Sequence, residues 1–151
     1  MKNTVSSTAL MNAVVRIGKV NGDMKNSTEK RENMPFTEVC IYQVKPQKVE
    51  EFEALMQEAK ELLAKQEGLL LLRFAKREYR IDMEHIKEGR PPVKLTRVVK
   101  SVKYMLYWEF DSKESYGAAQ KSLYESYWKP IERCLVVPHD KYLGEGIFGW
   151  N

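Results

Sequence analysis

The stretch FTEVCIYQVKPQKVEEFEALMQEAKELLAKQEGLLLLRFAK, residues 36–76, decides the fold of this chain. Its first part, Thr37 to Val44, is rich in apolar and β-branched residues and predicts a strand. Apolar residues then recur at the three-and-four spacing of one helical face, and these are Val49, Phe52, Leu55, Met56, Ala59, Leu62 and Leu63. Gly68 is a helix stop signal, and the run LLLLRFA after it predicts a second strand. The stretch is therefore a strand–helix–strand unit.

The rest of the chain predicts two more strands and one more helix. Residues 69–80 and 97–110 are expected to form a hairpin whose long polar tip contains two adjacent prolines. Asp111 or Ser112 then caps a second helix, and Pro130 predicts a kink or an end of that helix near Lys129. Residues 135–148, LVVPHDKYLGEGIF, predict a last strand in two pieces. The order β-α-β-β-α-β predicts an α+β fold, a ferredoxin-like antiparallel sheet with both helices on one face.

Length and composition indicate one globular domain with a tail. The chain has 151 residues, and residues 1–34 are polar without apolar periodicity, so we expect a flexible tail there and a domain over residues 35–151. No apolar run approaches the roughly 18 residues that span a bilayer, and no secretory signal is recognisable. Cys40 and Cys134 lie in apolar segments, which is typical of buried thiols in a reducing compartment. These features predict a cytoplasmic protein with no membrane partner.

The net charge of +4 is unevenly distributed. Residues 76–103 hold nine basic and four acidic groups, whereas the aromatic residues are concentrated in other segments. A nucleic-acid-binding protein usually combines a basic surface with interleaved aromatics, so nucleic acid is not expected as a partner. A solvated surface is the ordinary interpretation of such a basic run, and an anionic partner is the alternative.

Both faces of the predicted sheet are apolar. Cys40, Tyr42 and Val44 alternate with Val39 and Ile41 in the first strand. The second strand is expected to point Leu70, Leu72 and Phe74 towards the helices and Leu69, Leu71 and Ala75 away from them, and the third points Met105 and Tyr107 away. A second copy of the chain is the expected cover for the face without helices, which predicts a homodimer. The alternative is a monomer with an unusually apolar exposed sheet.

Two segments resemble a known family. VKPQKVEEFEALM, residues 44–56, joins the first strand to the first helix, and YWEFDSKESYGAA, residues 107–119, joins the third strand to the second helix. Over residues 35–148 the chain resembles the dimeric α+β barrels, and within them the group named for antibiotic-biosynthesis monooxygenases, which includes haem-degrading monooxygenases. The resemblance implies that two sheets pair into a dimeric α+β barrel and that a ligand cavity lies between the sheet and the helices.

The resemblance also implies a set of ligand-binding residues. The second helix carries several aromatics within SLYESYWKPIE, residues 122–132, and we interpret them as part of a pocket wall. The expected lining residues of a pocket for a small apolar or aromatic molecule, with His139 at its mouth, are Cys40, Tyr42, Phe74, Tyr104, Leu106, Trp108, Phe110, Tyr116, Tyr124, Tyr127, Trp128 and His139. The alternative is that these tyrosines are close-packed and their hydroxyls reach solvent at the helix edge.

The chain departs from the family at its functional positions. The family's asparagine on strand one falls on Cys40, and its tryptophan at the end of strand three falls on Phe110, with Trp108 two residues earlier. The second helix contains no histidine, so the ligand that haem iron would need is missing. Haem degradation is therefore not expected.

No cofactor or metal site is predicted from the sequence. It contains no cluster with metal-ligand spacing and no nucleotide-binding fingerprint. The resemblance then suggests oxidation of an electron-rich aromatic molecule by oxygen without a prosthetic group, with the catalytic residue undetermined. The competing interpretation is a non-catalytic dimer that binds a small apolar ligand or a partner protein.

Overall fold

The structure is a computed structural model that describes residues 34–97 and 100–150. The chain divides into a body, Pro35–Glu145, and a second unit whose described residues are Met34 and residues 146–150. Apart from Met34, the predicted polar tail of residues 1–34 lies outside the described residues. The fold and the candidate site both belong to the body.

The described residues of the body form six strands and three α-helices. In chain order they are β1 (Phe36–Val44), a 3-10 turn (Pro46–Lys48), α1 (Val49–Ala64), β2 (Leu69–Lys76), β3 (Tyr79–Arg80), α2 (Met83–Glu88), β4 (Val93–Lys94), β5 (Val102–Phe110), α3 (Lys113–Cys134) and β6 (Asp140–Glu145).

The main sheet has four antiparallel strands in the order β2-β5-β1-β6. The two central strands pair along their whole length, from Phe36 opposite Phe110 to Val44 opposite Val102. The strands β1, β2, β5 and β6 with the helices α1 and α3 reproduce the predicted β-α-β-β-α-β order. The predicted ferredoxin-like α+β fold is therefore confirmed.

The core lies between one face of the sheet and the two long helices. Helix α1 buries Phe52, Met56, Ala59 and Leu63, which are members of the apolar face that the sequence predicts. The other buried apolar residues are Cys40, Tyr42, Val44, Tyr104, Leu106, Trp108, Phe110, Tyr116, Ala119, Leu123, Ile131, Cys134 and Leu135. This inward face of the sheet therefore holds the predicted aromatic residues of β1 and β5.

Gly68 makes the turn from α1 into β2. Its φ of 79° lies in the left-handed region, where a side chain is strained. A Cβ atom here would also collide with the side chains of Asp111 and Ser115 at the start of α3. The Gly68 carbonyl accepts a hydrogen bond of 2.9 Å from the Asp111 backbone N–H, so this turn ties the two halves of the fold together.

The predicted hairpin between residues 69 and 110 differs in detail from the structure. Strand β2 ends at Lys76, and β5 begins only at Val102. Tyr79 and Arg80 leave the main sheet and pair with Val93 and Lys94 in a separate two-stranded sheet. The short helix α2 between them is capped by the Asp82 side chain, which accepts a hydrogen bond from the His85 backbone N–H. Local capping and pairing thus replace the continuous strands that the sequence predicts.

Because of a β-bulge, the first residues of β2 point in the opposite directions to those predicted. Leu69 lies opposite Phe110, but Leu71 lies opposite Glu109, so Leu70 is the extra residue. Because one inserted residue reverses the alternation, Leu69 packs against the core and Leu70 is exposed. The expectation that Leu70 faces the helices and Leu69 faces away is wrong, whereas Leu72 packs on the core as predicted.

Helix α3 starts where the sequence predicts and ends later. Ser112 is the N-cap, and its hydroxyl accepts a hydrogen bond of 3.1 Å from the Ser115 backbone N–H. The helix continues through Pro130 to Cys134, so of the two expectations, a kink or an end near Lys129, the end is excluded. Burial of Ile131 and Cys134 stabilises this last turn although proline has no N–H to donate. Leu135 then forms a single bridge with Val44, and β6 follows separately.

The face of the sheet without helices has an apolar patch at its centre, with charged residues such as Arg73 and Glu109 on the same face. Val39, Ile41, Leu71, Met105 and Tyr107 share this outer face, and 44% of Met105 is exposed. A hollow of about 320 Å³ opens on it, lined by Ile41, Ala75, Lys76, Arg77, Lys103, Tyr104 and Met105. Among the described residues, none of the helices is long and apolar enough to cross a membrane.

Candidate functional site: a buried carboxylate between the sheet and helix α3

Glu38 is the one charged residue in the core of the described chain. It lies on β1, on the same face as Cys40 and Tyr42, so its side chain points inward between the sheet and α3. Its exposed fraction is 0%. Strand alternation therefore places a carboxylate among the aromatic residues that were predicted to line a pocket.

Three side chains from three different elements donate hydrogen bonds to Glu38. Trp108 Nε1 on β5 donates to Oε2 at 2.8 Å, and Gln120 Nε2 on α3 donates to the same oxygen at 3.1 Å. Lys141 Nζ on β6 donates to Oε1 at 2.7 Å. We call these four residues, Glu38, Trp108, Gln120 and Lys141, the buried polar centre.

The ion pair with Lys141 compensates the burial of the carboxylate. Removing a carboxylate from water costs several kcal/mol, and a nearby ammonium group offsets that cost. The Lys141 side chain is 23% exposed, so the centre lies one side chain away from solvent at the β6 edge. Because buried ion pairs are on average no more stabilising than apolar residues of the same size, a role other than stability is a reasonable hypothesis for this one.

Two further ionisable groups lie beside the centre and stay neutral at physiological pH. Burial raises the pKa of the Cys40 thiol to about 11, and the Lys141 ammonium opposes that increase. Burial also raises the pKa of the Tyr116 phenol, and the Glu38 carboxylate raises it further. The centre therefore contains one negative and one positive charge, surrounded by neutral thiol, phenol, indole and amide groups.

An aromatic rim adjoins the centre where α3 meets the segment before β6. Tyr124 is 61% exposed, and its ring lies 5.5 Å from that of Trp128. The Trp128 ring lies 4.5 Å from the half-buried His139 ring, which in turn lies 5.5 Å from the buried Tyr42 ring. We call Tyr124, Trp128 and His139 the aromatic rim. This rim connects the surface with the core. Burial, and then the Lys141 charge, lower the pKa of His139.

The predicted ligand-binding residues fall into three groups. Seven are buried in the layer between sheet and helices, and these are Cys40, Tyr42, Tyr104, Leu106, Trp108, Phe110 and Tyr116. Tyr124, Trp128 and His139 form the rim, and the half-buried Tyr127 packs against the core. Phe74 is 38% exposed on the edge strand β2, away from the rim. The structure thus brings most of these residues around one layer but separates Phe74 from α3.

A cavity of about 220 Å³ lies on the other side of the same layer, between α1 and the free edge of β2. Phe74 and Leu106 from the predicted set line it, together with Met56, Gln57, Lys60, Leu63 and Leu72. Nearby, the Tyr104 hydroxyl donates a hydrogen bond of 2.8 Å to Glu53 on α1, so this phenol finds its partner at the helix edge. The Tyr104 hydroxyl is thus already satisfied, as the close-packed alternative expects.

Gln120, Glu38 and Lys141 were not predicted as site residues. Glu38 precedes Cys40 by two positions, so the predicted alternation of β1 already implies that it points inward. A charged residue on an apolar strand face was the available signal. Within residues 34–97 and 100–150, no group of three or more His, Cys, Asp or Glu side chains is arranged to hold a metal ion.

Comparisons with known proteins support the fold. No family model matches the sequence, and no curated protein matches it. Among solved structures, a conserved protein from Methanosarcina mazei Go1 is similar at 19% identity and a TM-score of 0.53, covering 77% of this chain and 96% of that one. A "putative antibiotic biosynthesis monooxygenase" from Nitrosomonas europaea is similar at 14% identity and a TM-score of 0.55, covering 77% and 93%.

A third similar structure is described as a dimeric ferredoxin-like protein from an uncultured marine organism. It shares 12% identity at a TM-score of 0.55, and the match covers 82% of this chain and 97% of that one. Identities of this size show a common fold and no more. The body of this chain therefore has the ferredoxin-like α+β fold found in proteins of the antibiotic-biosynthesis-monooxygenase type, as its sequence resemblance suggested.

Proposed function

We propose that this protein binds a small hydrophobic or aromatic molecule between the sheet and helix α3, and that it oxidises this molecule with dioxygen without a cofactor. The buried polar centre is the observation that carries the proposal. It offers a charged, hydrogen-bonding group inside an apolar layer, next to an aromatic rim at the surface. Such a combination of apolar walls with a few convergent polar groups is typical of small-molecule sites.

Each part of the site has a role in this proposal. Tyr124 and Trp128 offer ring faces on which a flat aromatic molecule stacks at the entrance. Gln120 and Lys141 are the polar groups nearest the surface, and they are suited to orient an oxygen substituent of the ligand. The surrounding apolar layer excludes water, which strengthens the electrostatic interactions within the site.

The reaction class rests on the fold and on the names of proteins that share it. One of them is described as a "putative antibiotic biosynthesis monooxygenase". The identities between this chain and these structures are 10–19%, which show a common fold and not a common reaction. Cys40 and Phe110 stand where the resembled family has asparagine and tryptophan, and α3 has no histidine. These departures favour the second candidate function, a binding module for a small apolar ligand or a partner protein.

We also propose that the protein acts as a homodimer and resides in the cytoplasm. The apolar outer face with its hollow is a suitable surface for a second copy, and one protein with the same fold is described as dimeric. Two such sheets packed face to face would form the dimeric α+β barrel that the sequence resemblance implies. The location is supported by Cys40 and Cys134, which are both buried free thiols.

The experiment is a ligand titration coupled to an oxygen electrode. The full chain is titrated by calorimetry with a panel of polycyclic phenols and anthrones, and oxygen uptake is measured with each. We expect saturable binding of at least one compound, weaker binding by the rim variant Trp128→Ala, and unchanged binding by Tyr79→Ala, a control at an exposed tyrosine outside the site. Binding without oxygen uptake would establish a small-molecule binding module instead. No saturable binding across the panel would contradict both the oxygenase and the small-molecule binding module.

A further inference from the structure

We propose that the cavity between α1 and the free edge of β2 is a second binding site, and that its ligand is a small amphipathic anion, a carboxylate with a short apolar tail. This inference goes beyond the proposed function, because the cavity lies on the other side of the layer from the aromatic rim. The apolar walls of the cavity and the charge at its mouth carry the inference.

The cavity has an apolar interior and a polar mouth. Met56, Leu63 and Leu106 are buried, so they form its inner wall. Gln57 and Lys60 also line it, and both are exposed to solvent. An apolar space with a few polar groups at one end is typical of small-molecule sites. It suits a molecule whose tail displaces water from the interior and whose head group stays at the surface.

The helical spacing of α1 separates the lysine at this mouth from the carboxylates of the helix. The positions three and four residues away from Lys60 hold Met56, Gln57, Leu63 and Ala64. These positions are its neighbours on the helix surface, and three of them line the cavity. Although the helix contains five glutamates, none of them stands at this spacing. The ammonium group of Lys60 is therefore placed among cavity residues.

Lys60 also lacks an ion-pair partner elsewhere in the described part of the chain. None of the ion pairs found within residues 34–97 and 100–150 includes it. By contrast, Lys48 pairs with Glu51 at 2.9 Å, and Lys76 pairs with Glu53 at 3.4 Å. The positive charge at the cavity mouth is thus available to a ligand.

The donors at the mouth match a carboxylate. The Lys60 ammonium group neutralises one negative charge, and the Gln57 amide offers N–H groups for a second oxygen. Hydrogen bonds between an ammonium group and a carboxylate are stronger than those between neutral groups. A single lysine suits a ligand with one negative charge better than a phosphate with two.

The volume of the cavity limits the size of the tail. At roughly 30 Å³ per water molecule, 220 Å³ corresponds to about seven water molecules, and a tail of about seven carbon atoms occupies a similar space. A polycyclic phenol is too large for this cavity. The ligand class of this second site therefore differs in both size and charge from the class proposed for the rim.

The test is calorimetry on the full chain with three probes that share one tail, namely octanoate, octan-1-ol and octylammonium. We expect saturable binding of octanoate. Octan-1-ol should bind about tenfold or more weakly, because a hydrogen bond to a charged group is stronger than one to a neutral group. Octylammonium should show no saturable binding, because its charge has the same sign as that of Lys60. Octanoate that binds no more tightly than octan-1-ol would overturn the assignment of an anion.

Two variants separate the roles of the charge and the wall. Lys60→Gln should weaken octanoate binding about tenfold and leave octan-1-ol binding unchanged, because only the charge is lost. Phe74→Ala removes part of the apolar wall and should weaken the binding of both probes. The matched control is Lys65→Gln, which removes an exposed lysine at the end of α1 that does not line the cavity. It should bind both probes like the wild type.

The rim variant Trp128→Ala shows which site octanoate occupies. It should bind octanoate like the wild type, and a loss of octanoate binding in this variant would overturn the proposal. An equal loss in Lys60→Gln and Lys65→Gln would also overturn it, since the effect would then come from net charge alone. No saturable octanoate binding by the wild type is the third contradicting result. None of these measurements involves oxygen uptake or the polycyclic probes, so their failure is distinct from failure of the proposed function.

Discussion

The indole of Trp108 and the carboxylate of Glu38 form a buried hydrogen bond of 2.8 Å between the two central strands. The two residues lie directly opposite each other in the register of β1 and β5. Both side chains point into the layer below α3, and both are completely buried. The sheet register thus brings the largest side chain of the core into contact with its only charge among the described residues.

Trp108→Phe should remove the hydrogen bond to Glu38 and a smaller part of the buried ring than Trp108→Ala does. A buried hydrogen bond to a charged group contributes about 1.5–3 kcal/mol, so we expect the free energy of unfolding to fall by that amount. Trp108→Ala also opens a cavity and should cost about 3–5 kcal/mol. Urea denaturation of both variants measures these losses.

The pairwise nature of this effect can be checked in the same assay. In a Glu38→Gln background the loss caused by Trp108→Phe should shrink, with a coupling energy of about 0.5–3 kcal/mol. An identical loss in both backgrounds would mean that the indole acts through packing alone.

Lys141→Met should be more harmful than its exposure suggests. It leaves the carboxylate of Glu38 buried without a countercharge, and breaking a buried ion pair costs about 3–5 kcal/mol. Because Lys141 is 23% exposed, we expect about 3 kcal/mol, the lower end of this range. The double variant Glu38→Gln with Lys141→Met should recover part of this loss in urea denaturation. A double variant that is less stable than Lys141→Met alone would contradict this account.

The fold was predictable from the sequence because its signals are local. The apolar spacing that predicts α1 and the glycine that predicts its end both lie within a short stretch of sequence. The residues that α1 buries agree with that spacing. The bulge at Leu70 was not predictable in this way. An uninterrupted run of four leucines shows no alternation, so the sequence contains no sign of where the register shifts.

The buried polar centre was harder to predict because its members are far apart in sequence. Gln120 and Lys141 are 82 and 103 positions from Glu38, and only the sheet order and the packing of α3 bring them together. The alternation of β5 likewise predicts that the Trp108 side chain points into the layer below α3. It does not predict how closely this side chain packs there. In the structure its ring contacts those of Phe110 and Tyr116 edge-on.

Dimer formation should depend on the outer face of the sheet. Ile41→Asp together with Leu71→Asp places two charges on this apolar surface, and we expect monomers or unfolded protein in sedimentation velocity experiments. Leu70→Asp is the matched control, since Leu70 is the exposed residue of the bulge and should leave the sedimentation coefficient unchanged. A dimer that persists unchanged in the double variant would refute this interface.

The stability of the protein should fall in mildly acidic solution because of His139. Burial and the charge of Lys141 lower its pKa below the ordinary value of 6.5, so the unfolded chain takes up a proton at a higher pH than the folded chain does. The contribution of the neutral imidazole to stability is therefore fully present above pH 6.5, and it is lost as the pH falls from there through the folded-state pKa. His139→Gln cannot take up this proton. The unfolding free energy is measured by urea denaturation at about pH 7.5 and about pH 5.5, and the difference between the two values should be smaller in this variant than in the wild type. The same difference in both proteins would show that other groups cause the loss, and that the ring next to Trp128 is as easily protonated as one in water.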